Sequence, residues 1–271
     1  MQYDPIKRTL GRFFNQQPIL RKLFYHLLDW LLLRSWHIRK ELRKLKKGGL
    51  NAPVIFDAGS GFGQYSFRMG RMFPRSLIIA ADIKKEQIAD CNNFFSKTRM
   101  ADRVRFQVAD LTQYSVKEKY DLILSVDVME HIEEDRKVFL NFCNSLKPGG
   151  TLLVSTPSDK GGSDTHDHEG ASHGFIDEHV RDGYNILEIE KKLLTAGFHK
   201  VEAHYAYGWP GKISWKLSMK YPIQMLGVSK LFFIVLPFYY LVTFPFAIVL
   251  NYIDISTEHK TGTGLIVKAT K

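Results

Sequence analysis

Cysteine is nearly absent: Cys91 and Cys143 are the only two in 271 residues, with no C-x-x-C pair and no Cys/His zinc spacing. This excludes a disulfide scaffold and a zinc-built fold, and it leads us to expect a reduced, intracellular setting. The glycine-rich stretch at residues 59–63 is not followed by Gly-Lys-Ser/Thr, so it is not a Walker loop. Gln64 stands where the dinucleotide fingerprint needs its third glycine, which argues against NAD or FAD. The N-terminal region lacks an uninterrupted apolar core, because Arg21, Lys22, His26, Asp29 and Arg34 interleave Leu20 to Trp36. Secretion is therefore not expected. There is no internal repeat or low-complexity tract.

What the chain does have is an uneven excess of positive charge. Of its net +10, residues 1–47 contribute 12 Lys/Arg against 3 Asp/Glu, and residues 199–271 contribute 8 against 3. The centre is slightly acidic. Basic flanks on an acidic core point to an anionic surface as a contact for the flanks. Pro18 is placed to open a helix whose Leu20, Leu23, Phe24, Leu27, Leu28 and Leu31 recur at three-and-four spacing. A second helix is expected over Ile38 to Lys47, stopped by Gly48-Gly49. These make up an amphipathic, basic extension over residues 1–49.

From residue 53 short apolar runs alternate with helical stretches. Pro53 to Asp57, Leu77 to Asp82, Val104 to Asp110, Tyr120 to Asp127 and Thr151 to Thr156 read as buried parallel strands. Residues 62–72, 84–98 and 133–146 read as the crossover helices. A helix from Asn185 to Ala196, a sixth strand over Lys200 to Tyr207 and a seventh over Gly264 to Thr270 complete the expected pattern. The fold class is α/β, a Rossmann-like doubly wound seven-stranded sheet. Its core spans 50–210, an apolar helical insertion spans 211–262, and the last strand lies in 263–271.

Four strands end in an aspartate: Asp57, Asp82, Asp110 and Asp127. Ligands of open parallel sheets bind beyond the carboxyl ends of the strands, so these carboxylates are expected around one crevice; each could instead cap a helix. Gly59, Gly61 and Gly63 let the backbone approach a ligand at a helix N-terminus. Asp82, 19 residues past Gly63, is placed to accept bonds from a ribose. A nucleoside with little or no phosphate fits these features.

The stretches Val54 to Gly63, Ala81-Asp82, Ala109-Asp110-Leu111, Asp121 to Ile132 and Leu146 to Leu152 together resemble the class I S-adenosylmethionine-dependent methyltransferases. Within them the likeness is to the ubiquinone and menaquinone type. The resemblance implies S-adenosylmethionine as cofactor, with Asp57 and the three glycines at its methionine part, Asp82 at the ribose, Asp110 and Leu111 at the adenine, Asp127 beside the methyl group, and Ile83 among the cofactor-binding residues. Alignment of nucleophile, methyl carbon and sulfur is then the main catalytic task. Where the acceptor must lose a proton, His131 and Glu130 are the candidates nearest the donor. His166 and His168, in the run Thr165 to Glu169, lie where an acceptor loop belongs and are further candidates. A divalent ion held with Glu169 and His173 is the alternative, but such composition is more commonly a solvated polar loop, and no metal is expected. The stretch Asp177 to Arg181 followed by Tyr184 resembles one frequent in the same group, which implies a part in shaping the acceptor pocket.

Leu231 to Ile253 holds 23 residues without a charge, long enough for a membrane span. It sits between two strands of one sheet, so it must leave and return on the same side. We expect a helical hairpin broken at Pro237 and Pro245 that lies in the interface or dips into one leaflet beside the basic N-terminal helix. The expected partners are a lipophilic small-molecule acceptor and the cytoplasmic face of a membrane, by peripheral contact. A soluble lid over a small-molecule or sugar acceptor, or a homodimer surface, is the alternative use of the same segments. Nucleic acid is not expected as partner, since the Asn/Asp-Pro-Pro-Tyr/Phe sequence of base-amino methyltransferases is missing after the fourth strand. A non-catalytic scaffold would not need intact glycines and aspartates.

Overall fold

The computed structural model describes residues 17–161 and 180–271. Seven strands form one sheet in the order β3-β2-β1-β4-β5-β7-β6: β1 (Val54–Ala58), β2 (Leu77–Asp82), β3 (Val104–Val108), β4 (Tyr120–Val126), β5 (Leu146–Pro157), β6 (Lys200–Ala206) and β7 (Gly264–Thr270). Strands β1 to β5 pair in parallel, and β7 is inserted antiparallel between β5 and β6. Strand order reverses between β1 and β4, which opens a crevice at their carboxyl ends. All the expected strands are present. β3 and β4 stop short of Asp110 and Asp127, whereas β5 starts earlier than expected because Leu146 already pairs with Tyr120.

Both faces of the sheet are covered. One is packed by α5 (Asp135–Ser145) and α6 (Ile186–Thr195), with Phe139, Phe142, Ile189 and Leu193 in the core. The other is packed by α1 (Pro18–Leu31), α2 (Leu33–Lys47), α3 (Gln64–Met72) and α4 (Lys85–Ser96), with Tyr25, Ile38, Leu42, Phe67, Phe94 and Phe95. The N-terminal helices are thus part of the domain, and α2 begins five residues earlier than expected.

Helix α1 packs inside out. Its buried residues are Arg21, Tyr25 and Asp29, four apart, while Ile19, Leu23, Leu27 and Trp30 are exposed. Of the leucine-rich stripe, Leu23 and Leu27 face away from the core, while Leu20, Phe24, Leu28 and Leu31 are half-buried at its edge.

Between β6 and β7 the chain leaves as α7 (Trp209–Trp215), a π-type turn at Lys216–Lys220 and α8 (Tyr221–Val228), then returns as the 25-residue α9 (Phe232–Ser256). This is a hairpin, but the break expected at Pro237 and Pro245 falls instead at Ser229 to Leu231. Both prolines stay inside α9, where each removes one backbone donor that Phe233 and Leu241 would have used. The outgoing limb is the stretch before Leu231, which carries Lys212, Lys216 and Lys220 and so was not part of the uncharged run.

The base of the hairpin is held by Asp254, fully buried. Its carboxylate accepts bonds from His37 Nε2 (2.9 Å), the backbone N–H of Gly211 (3.0 Å) and of Tyr207 (3.2 Å), and lies 3.1 Å from His259 Nε2. Gly211 is required there: a Cβ would come 2.7 Å from Asp254 Oδ1 and 2.6 Å from Leu33. Burial pushes the carboxyl up, but the His37 hydrogen bond and charge, His259 and the Gly211 N–H outweigh it and hold it below the usual carboxylate range. Its contribution to stability is therefore full above the ordinary carboxylate pKa and is lost as pH falls through the depressed one. Asp254→Ala strands two imidazoles and two backbone donors, and is expected to cost about 3 kcal/mol in chemical denaturation at neutral pH.

Candidate active site

The loop after β1 turns through three left-handed glycines, Gly59 (φ 77°), Gly61 (φ 52°) and Gly63 (φ 84°). At Gly59 a side chain would collide with Val128 of the turn after β4, so glycine keeps the two crevice walls in contact. The N–H groups of Gly59 and Ser60 both donate to Ala81 O, at 2.8 and 2.9 Å, which fixes the loop against β2. Gly61 N–H donates to Asp82 Oδ2 (2.9 Å), and Lys84 N–H to Asp82 Oδ1 (2.9 Å). Asp82, half-buried at the strand end, therefore orients the loop and keeps lone pairs for a ligand.

The four aspartates gather at one sheet end, yet they are not equivalent. Asp57 lies within β1, almost fully buried, and accepts from Ser66 Oγ at 2.5 Å. Burial is the main cause that raises its carboxyl to about 7; the Ser66 bonds oppose it and the nearby Asp82 charge adds to it. Asp110 is exposed two residues past β3, where it accepts from Thr112 N–H and Oγ1 in a tight local turn. Leu111 beside it is buried. Asp127 has a left-handed backbone (φ 51°) and pairs with Arg34. The capping residues of α3, α4 and α5 are Gly63, Lys84 and Glu134, so helix capping is not what the aspartates do.

Ile83, directly after Asp82, is two-thirds exposed. Ser60 Oγ, at the centre of the glycine loop, is buried and has no partner among the described residues. A loop with three glycines, an orphaned buried hydroxyl within it and a strand-end carboxylate suit a ligand with an amino acid part and a ribose, and so fit S-adenosylmethionine.

Glu130 and His131 sit on a short 3-10 turn, Met129–His131. Glu130 is buried and receives Thr156 Oγ1 from β5 at 3.1 Å, and its carboxyl is raised, burial being the largest cause. His131 is exposed. His166, His168, Glu169 and His173 lie outside the described residues. Just after them, Arg181 pairs with Asp135 and donates to Ile132 O (2.7 Å), while Tyr184 OH reaches Asp135 Oδ2 (2.8 Å) and Met129 O (3.1 Å). This network pins the chain leaving the 162–179 segment to the turn that bears Glu130 and His131.

Sequence reasoning missed the polar face of α1. Arg21 Nη2 and Tyr25 OH both donate to Phe62 O of the glycine loop, at 2.8 and 2.5 Å, and Arg21 also pairs with Asp90 on α4 (2.6 Å). Asp29 pairs with Arg68 and accepts from Gln64 Nε2 (2.8 Å) at the start of α3. The spacing of Arg21, Tyr25 and Asp29 was legible as a stripe opposite the leucines. Arg34, at the start of α2, reaches the crevice itself.

Residues 51–204 match the methyltransferase domain family. Among curated proteins, the chain is 32% identical over 160 residues to malonyl-[acyl-carrier protein] O-methyltransferase 2 of Ilyobacter polytropus, covering 56% of this chain and 59% of that protein. It is 29% identical over 153 residues to phosphoethanolamine N-methyltransferase 1 of Triticum aestivum, covering 55% of this chain and 29% of that one. Less than two thirds of either relative is thus spanned. A solved structure of Haemonchus contortus phosphoethanolamine N-methyltransferase 2 in complex with S-adenosyl-L-methionine shares the fold, with a TM-score of 0.58 at 20% identity over 92% of this chain and 60% of that one.

Asp82→Ala removes the strand-end carboxylate and releases the Gly61 N–H, and is expected to weaken cofactor binding by about 1–3 kcal/mol in titration calorimetry. Because the Asp57 carboxyl is raised to about 7, and a cationic ligand favours its charged form, cofactor affinity should rise with pH up to about 7 and level off above it. Asp57→Asn should flatten that profile; a slope unchanged in the variant would remove Asp57 as its source.

Proposed function

Because this chain belongs to the methyltransferase domain family, here of the class I, S-adenosylmethionine-dependent kind, we propose that it transfers the methyl group to a lipophilic small-molecule acceptor at the cytoplasmic face of a membrane. One observation carries this reading: the α1–α2 junction that bears the outward apolar surface at Trp30 also delivers Arg34 into the crevice onto Asp127. The mouth of the crevice therefore adjoins apolar surface, and an acceptor lying along that surface needs no passage through water to reach the methyl donor.

S-adenosylmethionine, when bound, supplies a methyl group already activated by its sulfonium. What the protein adds is placement. The glycine loop, locked by Ala81 O and by α1 through Phe62 O, holds one wall; the left-handed Asp127 and the Arg181–Asp135–Tyr184 network hold the other. Rigid walls restrict the acceptor to in-line approach, which is worth several kcal/mol of barrier. Where the acceptor loses a proton, His131 receives it, since it lies exposed on the turn just beyond β4 and can pass the proton on to solvent. Glu130, buried against Thr156, orients the turn.

The two curated relatives methylate oxygen in one case and nitrogen in the other, as their names state, so both acceptor atoms are compatible with this domain. The test is to incubate the protein with methyl-labelled S-adenosylmethionine and a cell extract, then partition the products. Label is expected in the organic phase, and His131→Gln should lower it roughly a hundredfold if a proton is lost in transfer. Label confined to the aqueous phase would establish a soluble acceptor instead, and label in precipitated RNA would overturn the small-molecule reading.

A further inference from the structure

The outgoing and returning limbs of the hairpin share the inside-out character of α1. In α9 only Ala247, Asn251 and Asp254 are buried, a narrow stripe that takes in the amide and the carboxylate of the helix's last turns. The outer residues are apolar and open, among them Leu231, Ile234, Phe238 (70% exposed), Leu241 (76%), Val242, and Phe246. A ring contact between Trp30 and Phe244 joins α1 to α9, and Ser218 Oγ reaches Leu31 O, so the two apolar faces belong to one surface.

Polar groups on the hairpin bond inward. Tyr239 and Tyr240 hydroxyls donate to Leu217 O and Ser218 O (both 2.8 Å), Thr243 Oγ1 to Tyr239 O (2.9 Å) and Ser214 Oγ to Asn251 Oδ1 (2.6 Å). The outer face is left with little hydrogen-bonding demand, which is the condition hydrocarbon imposes. Between Glu202 and Asp254 there is no acidic residue, whereas Lys212, Lys216, Lys220 and Lys230 all fall there. All four tryptophans of the chain, Trp30, Trp36, Trp209 and Trp215, lie in α1, α2 and α7, and Trp209 is 67% exposed. Tryptophan with lysine at the edge of an apolar face is the composition of a bilayer interface.

We propose that α1 and the α7–α9 hairpin form a monotopic docking surface for one leaflet of an anionic bilayer, with the outer face of α9 in the acyl boundary and the lysines of α7 and the π-type turn at the headgroups. A length of 25 residues lets α9 cross a membrane by itself, but the outgoing limb would then carry Lys212, Lys216 and Lys220 into hydrocarbon, so the hairpin lies in the plane instead. A second copy of the same face is a poor occupant, because a two-fold contact would set these lysines against lysines with no acid between them. The inference deepens the acceptor reading and rests on it only for the membrane as the place of work.

The experiment is flotation of the full chain with phosphatidylcholine vesicles and with vesicles containing 30% phosphatidylglycerol, at low and high salt. Binding is expected to the anionic vesicles and to weaken in salt. Replacing Lys212, Lys216 and Lys220 together by Gln should lower affinity roughly a hundredfold, and Phe238→Glu with Leu241→Glu should abolish it while cofactor affinity is retained, which shows that the variants fold. No binding to either vesicle overturns the proposal. So does a soluble dimer that Phe238→Glu with Leu241→Glu converts to monomer. Vesicle binding with label only in the aqueous phase would sink the acceptor reading alone; organic-phase label without vesicle binding would sink the docking surface alone.

Discussion

A carboxylate with no exposure to water sits where three separate parts of the chain converge. Asp254 takes a hydrogen bond from His37 of the N-terminal helices, from the backbone of Tyr207 just past β6, and from Gly211 where the hairpin begins. His259, on the way into β7, closes the fourth side. Each donor is itself buried or backbone, so none is satisfied if the carboxylate moves. The hairpin can carry a long apolar helix outside the core only because its base is fixed by polar bonds at this point. Through His37 the same contact sets the position of α2, and hence of Arg34 at its start.

Coupling between cofactor site and apolar surface follows from the direction in which α1 faces. An ordinary amphipathic helix buries its leucines and shows its charges; this one spends Arg21, Tyr25 and Asp29 on the glycine loop, α3 and α4. Ion pairs at nearly buried sites are geometrically demanding, and here they fix the loop that the cofactor must meet. The exposed Ile19, Leu23, Leu27 and Trp30 on the other side are then open to a non-aqueous neighbour. One helix therefore braces the cofactor wall and contributes to the outer apolar face.

The glycine loop, the aspartates and the strand order were legible because each rests on a local rule: apolar runs of strand length, turns that need positive φ, and the placement of ligands at a switch point. How each carboxylate is used was not legible. Asp57 differs from Asp110 in burial, not in sequence context, and burial is a property of what packs above it. The hairpin was placed correctly between two strands of one sheet but its break was misplaced, because prolines were given more weight than the turn at Ser229 to Leu231. Proline removes a bond in a helix, yet a neighbouring limb can hold that helix continuous.

By itself the sequence determined the α/β class, the crevice with its glycines and acidic strand ends, the methyltransferase resemblance, and an apolar segment that had to leave and return on one side of the sheet. Those are consequences of periodicity and of short motifs, which act over a few residues. Only the tertiary structure decided which face of α1 and α9 is turned inward, that Arg34 enters the crevice, and that Asp254 joins residues 37, 207, 211 and 259. An amphipathic helix has two faces, and its sequence does not say which of them the rest of the chain will cover; that depends on partners distant along the chain, whose polar groups must be satisfied once water is removed.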